Sequence, residues 1–134
     1  MILVSNAAAQ TLEAGQSLTF TVLRQTGCSE FLRPNTSNVY LKQGGLYKLE
    51  FHGNVTGATA ALPVQLSIAM SGSALPETTM VYTPAAANAV GNIGTSTEVG
   101  TCFPSGGYNI TVTNTGVNPI IVSENAALLI TREG

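Results

Sequence analysis

GLYKLEFHGNV, residues 45–55, alternates from end to end. Tyr47, Leu49, Phe51 and Val55 fall on one side of an extended chain, and Lys48, Glu50, His52 and Asn54 on the other. A period of two over this length is the signature of a strand with one buried face. Gly44 and Gly45 punctuate its start. Gly53, near its end, marks a bend or a close approach of another backbone. This strand is the expected centre of the fold, and the rest of the chain supplies strands that cover its apolar side.

Upstream, Ile2-Leu3-Val4 predicts a short apolar strand. Ala7-Ala8-Ala9 is too short for a stable helix, and Glu13-Ala14-Gly15 reads as a turn. In Ser17–Leu23, the residues Leu18, Phe20 and Val22 alternate with threonines, which predicts a strand. Glu30-Phe31-Leu32 is a brief extended piece stopped by Pro34, so it belongs at an edge or a bulge. Ser37–Leu41 leads through Lys42-Gln43-Gly44-Gly45 into the central strand, and the two are expected to form a hairpin.

Downstream, Gly57–Leu62 is a loop and Pro63–Met70 a strand, with Val64, Leu66, Ile68 and Met70 on one side. Ser71-Gly72-Ser73 ends it. Thr78–Tyr82 predicts another strand, closed by Pro84. The alanines of 85–89 favour helix by propensity, but Pro84 and Gly91 bracket them closely. Ala89–Cys102 reads as one strand. Gly106-Gly107 opens a second expected hairpin, in which Tyr108, Ile110 and Val112 alternate, Asn114-Thr115-Gly116 turn, and Pro119–Val122 return. Ala126–Thr131 closes the chain, with Asn125 as a bulge. Eight to ten short strands with frequent turn signals predict an all-β sandwich or barrel. For 134 residues a jelly-roll β-sandwich is the economical choice. The whole of 1–134 is read as one domain, with 1–15 as an N-terminal arm or strand.

Charged residues make up only 9% of the chain, against about 25% in ordinary soluble domains. Such a surface is either hydroxyl- and amide-rich or covered by other subunits. The net charge is −2, and the five basic residues do not cluster, so no basic field exists for nucleic acid or anionic lipid. No apolar run approaches the roughly 18–20 residues of a membrane-spanning helix. No signal peptide precedes the first strand, which points to synthesis and folding in a cytoplasm. Three Asn-x-Ser/Thr sequences, at Asn35, Asn54 and Asn109, then read as chance matches. Cys28 and Cys102 are compatible with two thiols or with a disulfide.

Catalysis finds little material. His52 is the only histidine, and Glu50 lies about 6–7 Å from it along a strand. No nucleophile elbow accompanies them. The seven acidic residues are all glutamates and are scattered, which disfavours a paired-carboxylate site. One histidine, no aspartate and no close cysteine pair leave no metal-ligand pattern. The glycine pairs open strands rather than helices, so they do not form phosphate loops. No enzyme activity, cofactor or metal is expected. His52 reads as a surface or interface residue with a possible part in pH-dependent assembly.

The terminal strands differ from the central one. In Ile2-Leu3-Val4 and Ala126–Ile130 both parities are apolar. A strand apolar on both sides is covered on both sides, and in a two-sheet sandwich the cheapest outer cover is another copy of the chain. The two terminal strands are therefore expected to pair side by side and to form a subunit contact. Leu3, Tyr47, His52, Leu128 and Ile130 are the expected interface residues.

The order GGLYKLEFH, then GYNITVTN, then a final AALLITR resembles the tumour-necrosis-factor/complement-C1q-like jelly rolls over roughly residues 16–133. The likeness extends to their bacterial and phage members, among them the C-terminal domains of exosporium collagen-like proteins and small phage virion proteins. It implies a homotrimer whose closing strand lies beside the first. It also implies adhesion, display or structure rather than chemistry. No collagen-like stalk is present. On that resemblance the expected role is a phage capsid decoration protein, made in the host cytoplasm and bound to the major capsid protein on the virion surface. The alternative is a receptor- or carbohydrate-binding head of a fibre, or a spore-surface adhesion domain.

Overall fold

The structure is a computed structural model that describes residues 2–25, 37–41, 45–101 and 108–133. Glu30–Leu32, the Gly106-Gly107 turn, Cys28 and Cys102 lie outside the described residues. Twelve strands occur among the described residues. They are β1 (Ile2–Ser5), β2 (Gln10–Leu12), β3 (Val22–Gln25), β4 (Val39–Leu41), β5 (Gly45–Thr56), β6 (Val64–Met70), β7 (Ser73–Ala74), β8 (Met80–Tyr82), β9 (Val90–Thr101), β10 (Tyr108–Asn114), β11 (Ile120–Val122) and β12 (Ala127–Arg132). One 3-10 turn, Pro76–Thr78, interrupts them. Every ladder among the described residues is antiparallel. One sheet holds β1, β2, β3, β5, β9, β11 and β12, and the other holds β4, β6, β7, β8 and β10. The two sheets form an all-β sandwich.

The alternating stretch is β5, and it is central as its pattern requires. β9 runs along its full length on one edge, from Gly45↔Thr101 to Thr56↔Val90. β12 takes the opposite edge at Tyr47–His52, and β11 takes it at Val55–Thr56. Tyr47, Leu49, Phe51 and Val55 are buried in the core, facing Leu66, Ile68, Ile110 and Val112 of the other sheet. Each such side chain contributes about 1.5–3 kcal/mol relative to exposure.

β11 and β12 thus follow one another along a single edge of β5. The break between them is a bulge. Asn125 adopts a left-handed conformation (φ 66°), which Asn tolerates better than most residues. The Ser123 N–H donates to Asn54 O at 2.9 Å across the break. β1 and β2 lie outside this pair, β1 on β12 and β2 on β11, and their own break falls opposite. Asn6 closes the double break and is completely buried. Its Nδ2 donates to Ala8 O and Ser123 O, both at 3.0 Å, and its Oδ1 accepts from the Ala126 N–H at 3.0 Å.

Both expected hairpins are corrected. β4 pairs with β10 in the five-stranded sheet, whereas β5 lies in the seven-stranded one. β4 and β5 therefore belong to different sheets and are not hairpin partners. Likewise β10 pairs with β4 and β6, while β11 pairs with β2 and β5. Asn114 holds this arch between sheets. Its buried amide donates to Leu12 O (2.9 Å) and Asn118 O (3.0 Å), and its Oδ1 accepts from the Gly116 N–H (2.9 Å). The side chain satisfies backbone groups that a hairpin ladder would otherwise have paired.

The 17–23 strand also changes sheets. The Leu18 N–H donates to Val112 O in one sheet, and the Thr21 N–H donates to Ser5 O in the other. Leu18 and Phe20 are core residues, but the crossing shifts the parity, so Val22 emerges 39% exposed. The Gln10 amide stabilises the crossing: its Oε1 accepts from Thr19 N–H and its Nε2 donates to Thr19 O. Elsewhere, β6 and β7 form a tight hairpin. Its two loop residues, Ser71 (φ 52°) and Gly72 (φ 86°), have the positive φ values of a type I′ turn. The alanines of 85–89 form a turn rather than a helix.

Candidate subunit interface on the seven-stranded sheet

The outward side chains of the seven-stranded sheet lie in cross-strand rows fixed by register. One row runs Arg24–Leu3–Leu129–Glu50–Ser96, and the next runs Val22–Ser5–Ala127–His52–Gly94. Leu3, Leu129 and Ala127 are half-buried and Val22 is exposed. Together they make an apolar strip over β3, β1 and β12. Arg24 bounds it on one side, and β5 and β9 bound it with charged and polar groups on the other. An apolar centre with a polar rim is the usual anatomy of a protein contact.

The five expected interface residues separate into two groups. Leu3 and His52 lie on the outer face. Tyr47, Leu128 and Ile130 do not: all three are fully buried inside the single chain. Their parity is inward, because Ile2, Val4, Leu128 and Ile130 face the opposite sheet. Leu129, Val22 and Ala127 stand on the outward parity in their place. Counting residues from Leu128 along the strand would have found Leu129.

The rim carries charged groups. Lys48 Nζ lies 3.5 Å from Glu50 Oε1, both partly exposed, and such a pair contributes about 0–1 kcal/mol. Lys48 faces Glu98 across the β5–β9 ladder. Glu133 follows β12, tied by its N–H to Leu46 O at 2.7 Å. A hydrogen bond with the Glu98 carboxyl holds the Glu133 carboxyl above its ordinary value of 4.5, reinforced by lost solvation and the Glu98 charge and opposed by Lys48. His52 has Ala127 and Gly94 as cross-strand neighbours. Asn54, next along the same side, accepts from Asn92 Nδ2 at 3.0 Å. Among the described residues no three His, Cys, Asp or Glu side chains gather as metal ligands.

One end of the sandwich has a different character. The loops 57–63, 84–89 and 115–119 are joined by Asn88 N–H to Gly57 O, Ala61 N–H to Pro84 O, and Asn118 Nδ2 to Pro63 O. None of these loops contains a charged residue. Leu62, Val90 and Val117 are exposed there, at 45%, 64% and 87%. No helix of the described residues is long and apolar enough to cross a membrane.

No protein-family model and no curated protein matches this chain in sequence. Solved structures match it over nearly its whole length. Eiger TNF from S. frugiperda superposes with a TM-score of 0.79 at 7% identity, over 99% of this chain and 91% of that one. Murine APRIL at pH 5.0 gives 0.69 at 11% identity, over 98% of each chain. The globular domain of zebrafish complement 1qA gives 0.66 at 14% identity, again over 98% of each. With its paired terminal strands and its β10–β11 arch between sheets, the chain has the TNF/C1q-like jelly-roll fold.

Proposed function

We propose that this chain is a non-catalytic structural domain that assembles as a homotrimer and decorates the capsid surface of a phage. The observation that carries the reading is the apolar strip of Leu3, Leu129, Ala127 and Val22 on the paired terminal strands. A half-exposed apolar strip of this kind on a two-sheet sandwich is stabilised when another copy covers it. The TNF/C1q-like resemblance implies three copies, and the low charge of the chain fits a surface partly hidden in contacts. The uncharged end with Leu62, Val90 and Val117 suits attachment to a larger body. In this reading that body is the shell built by the major capsid protein, and the protein is made in the host cytoplasm.

Electron microscopy of particles assembled with and without the protein tests this role. The expected difference is three-fold density at many repeated positions on the shell. Density at a few copies on a tail tip, or none on the particle, would overturn it.

A further inference from the structure

The outer side of the five-stranded sheet carries a cleft of about 460 Å³. Its base is Ala69 and Thr111, register partners on β6 and β10. The β6–β7 turn at Ser71-Gly72 forms one wall, and Gly15 and Ser17 line it on the side of the segment that crosses between sheets. A second cleft of about 560 Å³ adjoins it, lined in part by Gln10, Gln16 and Thr19. Ser17 lines both. Both are open surface depressions rather than enclosed cavities.

The lining is chemically narrow. Among the described residues it holds no charged and no aromatic side chain in either cleft, and the polar groups are hydroxyls and carboxamides. Those hydroxyls are fixed in place. Ser17 Oγ lies 2.9 Å from Thr113 Oγ1, and Thr111 Oγ1 lies 3.1 Å from Thr113 Oγ1. Thr115 Oγ1 accepts from Gln65 Nε2 at 2.9 Å and lies 2.9 Å from Ser67 Oγ. A hydroxyl offers one donor and two acceptor positions, so these internal contacts leave capacity for a ligand. Asn109 differs from them. It lines the same cleft, yet its Oδ1 is buried with no hydrogen-bond partner. An unmet buried acceptor is unusual and costly in a folded protein. A hydroxyl donor reaching this oxygen would satisfy it.

We propose that the two clefts joined at Ser17 form a binding site for a neutral oligosaccharide. The absence of charge in the lining argues against phosphate, carboxylate or sulfate ligands, which need a cation or helix terminus to offset their desolvation. The array of fixed hydroxyls and an unmatched carboxamide suits a ligand that is itself a set of hydroxyls. Two adjoining clefts suit more than one sugar unit. The first cleft lies on the five-stranded sheet and the second reaches β2 at the edge of the seven-stranded one, but neither is lined by Leu3, Val22, Ala127 or Leu129 of the apolar strip. The site is therefore separate from that strip, and it stands independently of any attachment to a shell.

The test is a titration of the full-length protein with maltohexaose, mannohexaose and chitohexaose, read by proton–nitrogen correlation NMR. At least one should produce saturable shifts confined to residues 10–12, 15–19, 37–38, 69–74 and 109–115. The double variant Thr111→Val, Thr113→Val removes two hydroxyls at constant shape, and binding should weaken about tenfold or more. Ala74→Glu, an exposed change at the rim, should weaken it as well and leaves the packing intact. No saturable shift with any of the three sugars would overturn the proposal. So would shifts elsewhere on the surface, equal binding by both variants, or stronger binding of a heparin hexasaccharide than of the neutral ligands.

Discussion

Gly53 of β5 lies directly against Ala126, and a methyl group placed on Gly53 would come within 2.8 Å of the Ala126 Cβ. The contact falls where β12 takes over from β11 along β5. The bulge at 123–126 pushes the incoming strand toward β5 there, and only a residue without a side chain leaves room. Gly53→Ala should destabilise the fold by about 1–3 kcal/mol through overpacking. Urea unfolding of the variant measures this. Ala126→Gly in the same chain should return part of the loss, and an unchanged midpoint for Gly53→Ala would contradict the close approach.

Asn6 serves both breaks at once. Removing its amide leaves the buried Ala126 N–H without its acceptor and takes a donor from Ser123 O. Asn6→Ala should cost about 2–4 kcal/mol, because unmet buried backbone groups bear their full desolvation. Asn6→Asp keeps an acceptor for the Ala126 N–H but sets a buried carboxylate oxygen against the Ala8 and Ser123 carbonyls, so it should restore none of that loss at neutral pH. A loss within about 0.5 kcal/mol, as for an ordinary surface substitution, would show that the amide is dispensable.

The central strand was legible because β5 buries one face along its whole length, so its period of two survives in the residues. Gly53 and Asn125 were legible for a similar reason: a close approach and a left-handed backbone each restrict the residue that can occupy them. The hairpins were not legible. Alternation in 37–41 and 108–113 reports that one side is buried, but not which sheet completes the ladder. The β10–β11 arch depends on Asn114 reaching Leu12 O far away in sequence, and the 17–23 crossing depends on Gln10 reaching Thr19, and an isolated Asn or Gln carries no local sign of either. Val22 failed because the crossing at Thr21 shifts the parity. The apolar strip was half legible: two-sided terminal strands revealed an outer face, but choosing Leu128 over Leu129 required the parity of the core.

Glu133 gives a pH dependence of definite sign. Its pKa is raised in the folded chain above the reference 4.5, chiefly by its hydrogen bond with Glu98. The folded state therefore holds this proton more tightly than the unfolded state. The stabilisation is complete below about pH 4.5 and is lost as the pH rises through the folded pKa. Thermal melts of the wild type and Glu98→Gln between pH 4 and pH 7 should show this. The wild type should lose ground relative to Glu98→Gln as the pH rises above about 4.5. Parallel curves would contradict the coupling.

Leu129→Glu places a charge in the middle of the apolar strip and leaves the inward residues Leu128 and Ile130 untouched. It should abolish self-association while the circular dichroism spectrum and the unfolding cooperativity remain those of a folded sandwich. Leu3→Glu, its register partner, should do the same. The exposed substitution Val117→Ser, at the uncharged end, should leave the oligomer intact. Loss of assembly in Val117→Ser with retention in Leu129→Glu would move the subunit contact to the other end of the molecule.

The mass of the wild-type protein in solution tests the central claim most directly. Light scattering on a sizing column at micromolar concentration should give three times the 13.8 kDa chain mass. A monodisperse species at 13.8 kDa would contradict the trimer and leave the strip of Leu3 and Leu129 without the partner copy proposed for it.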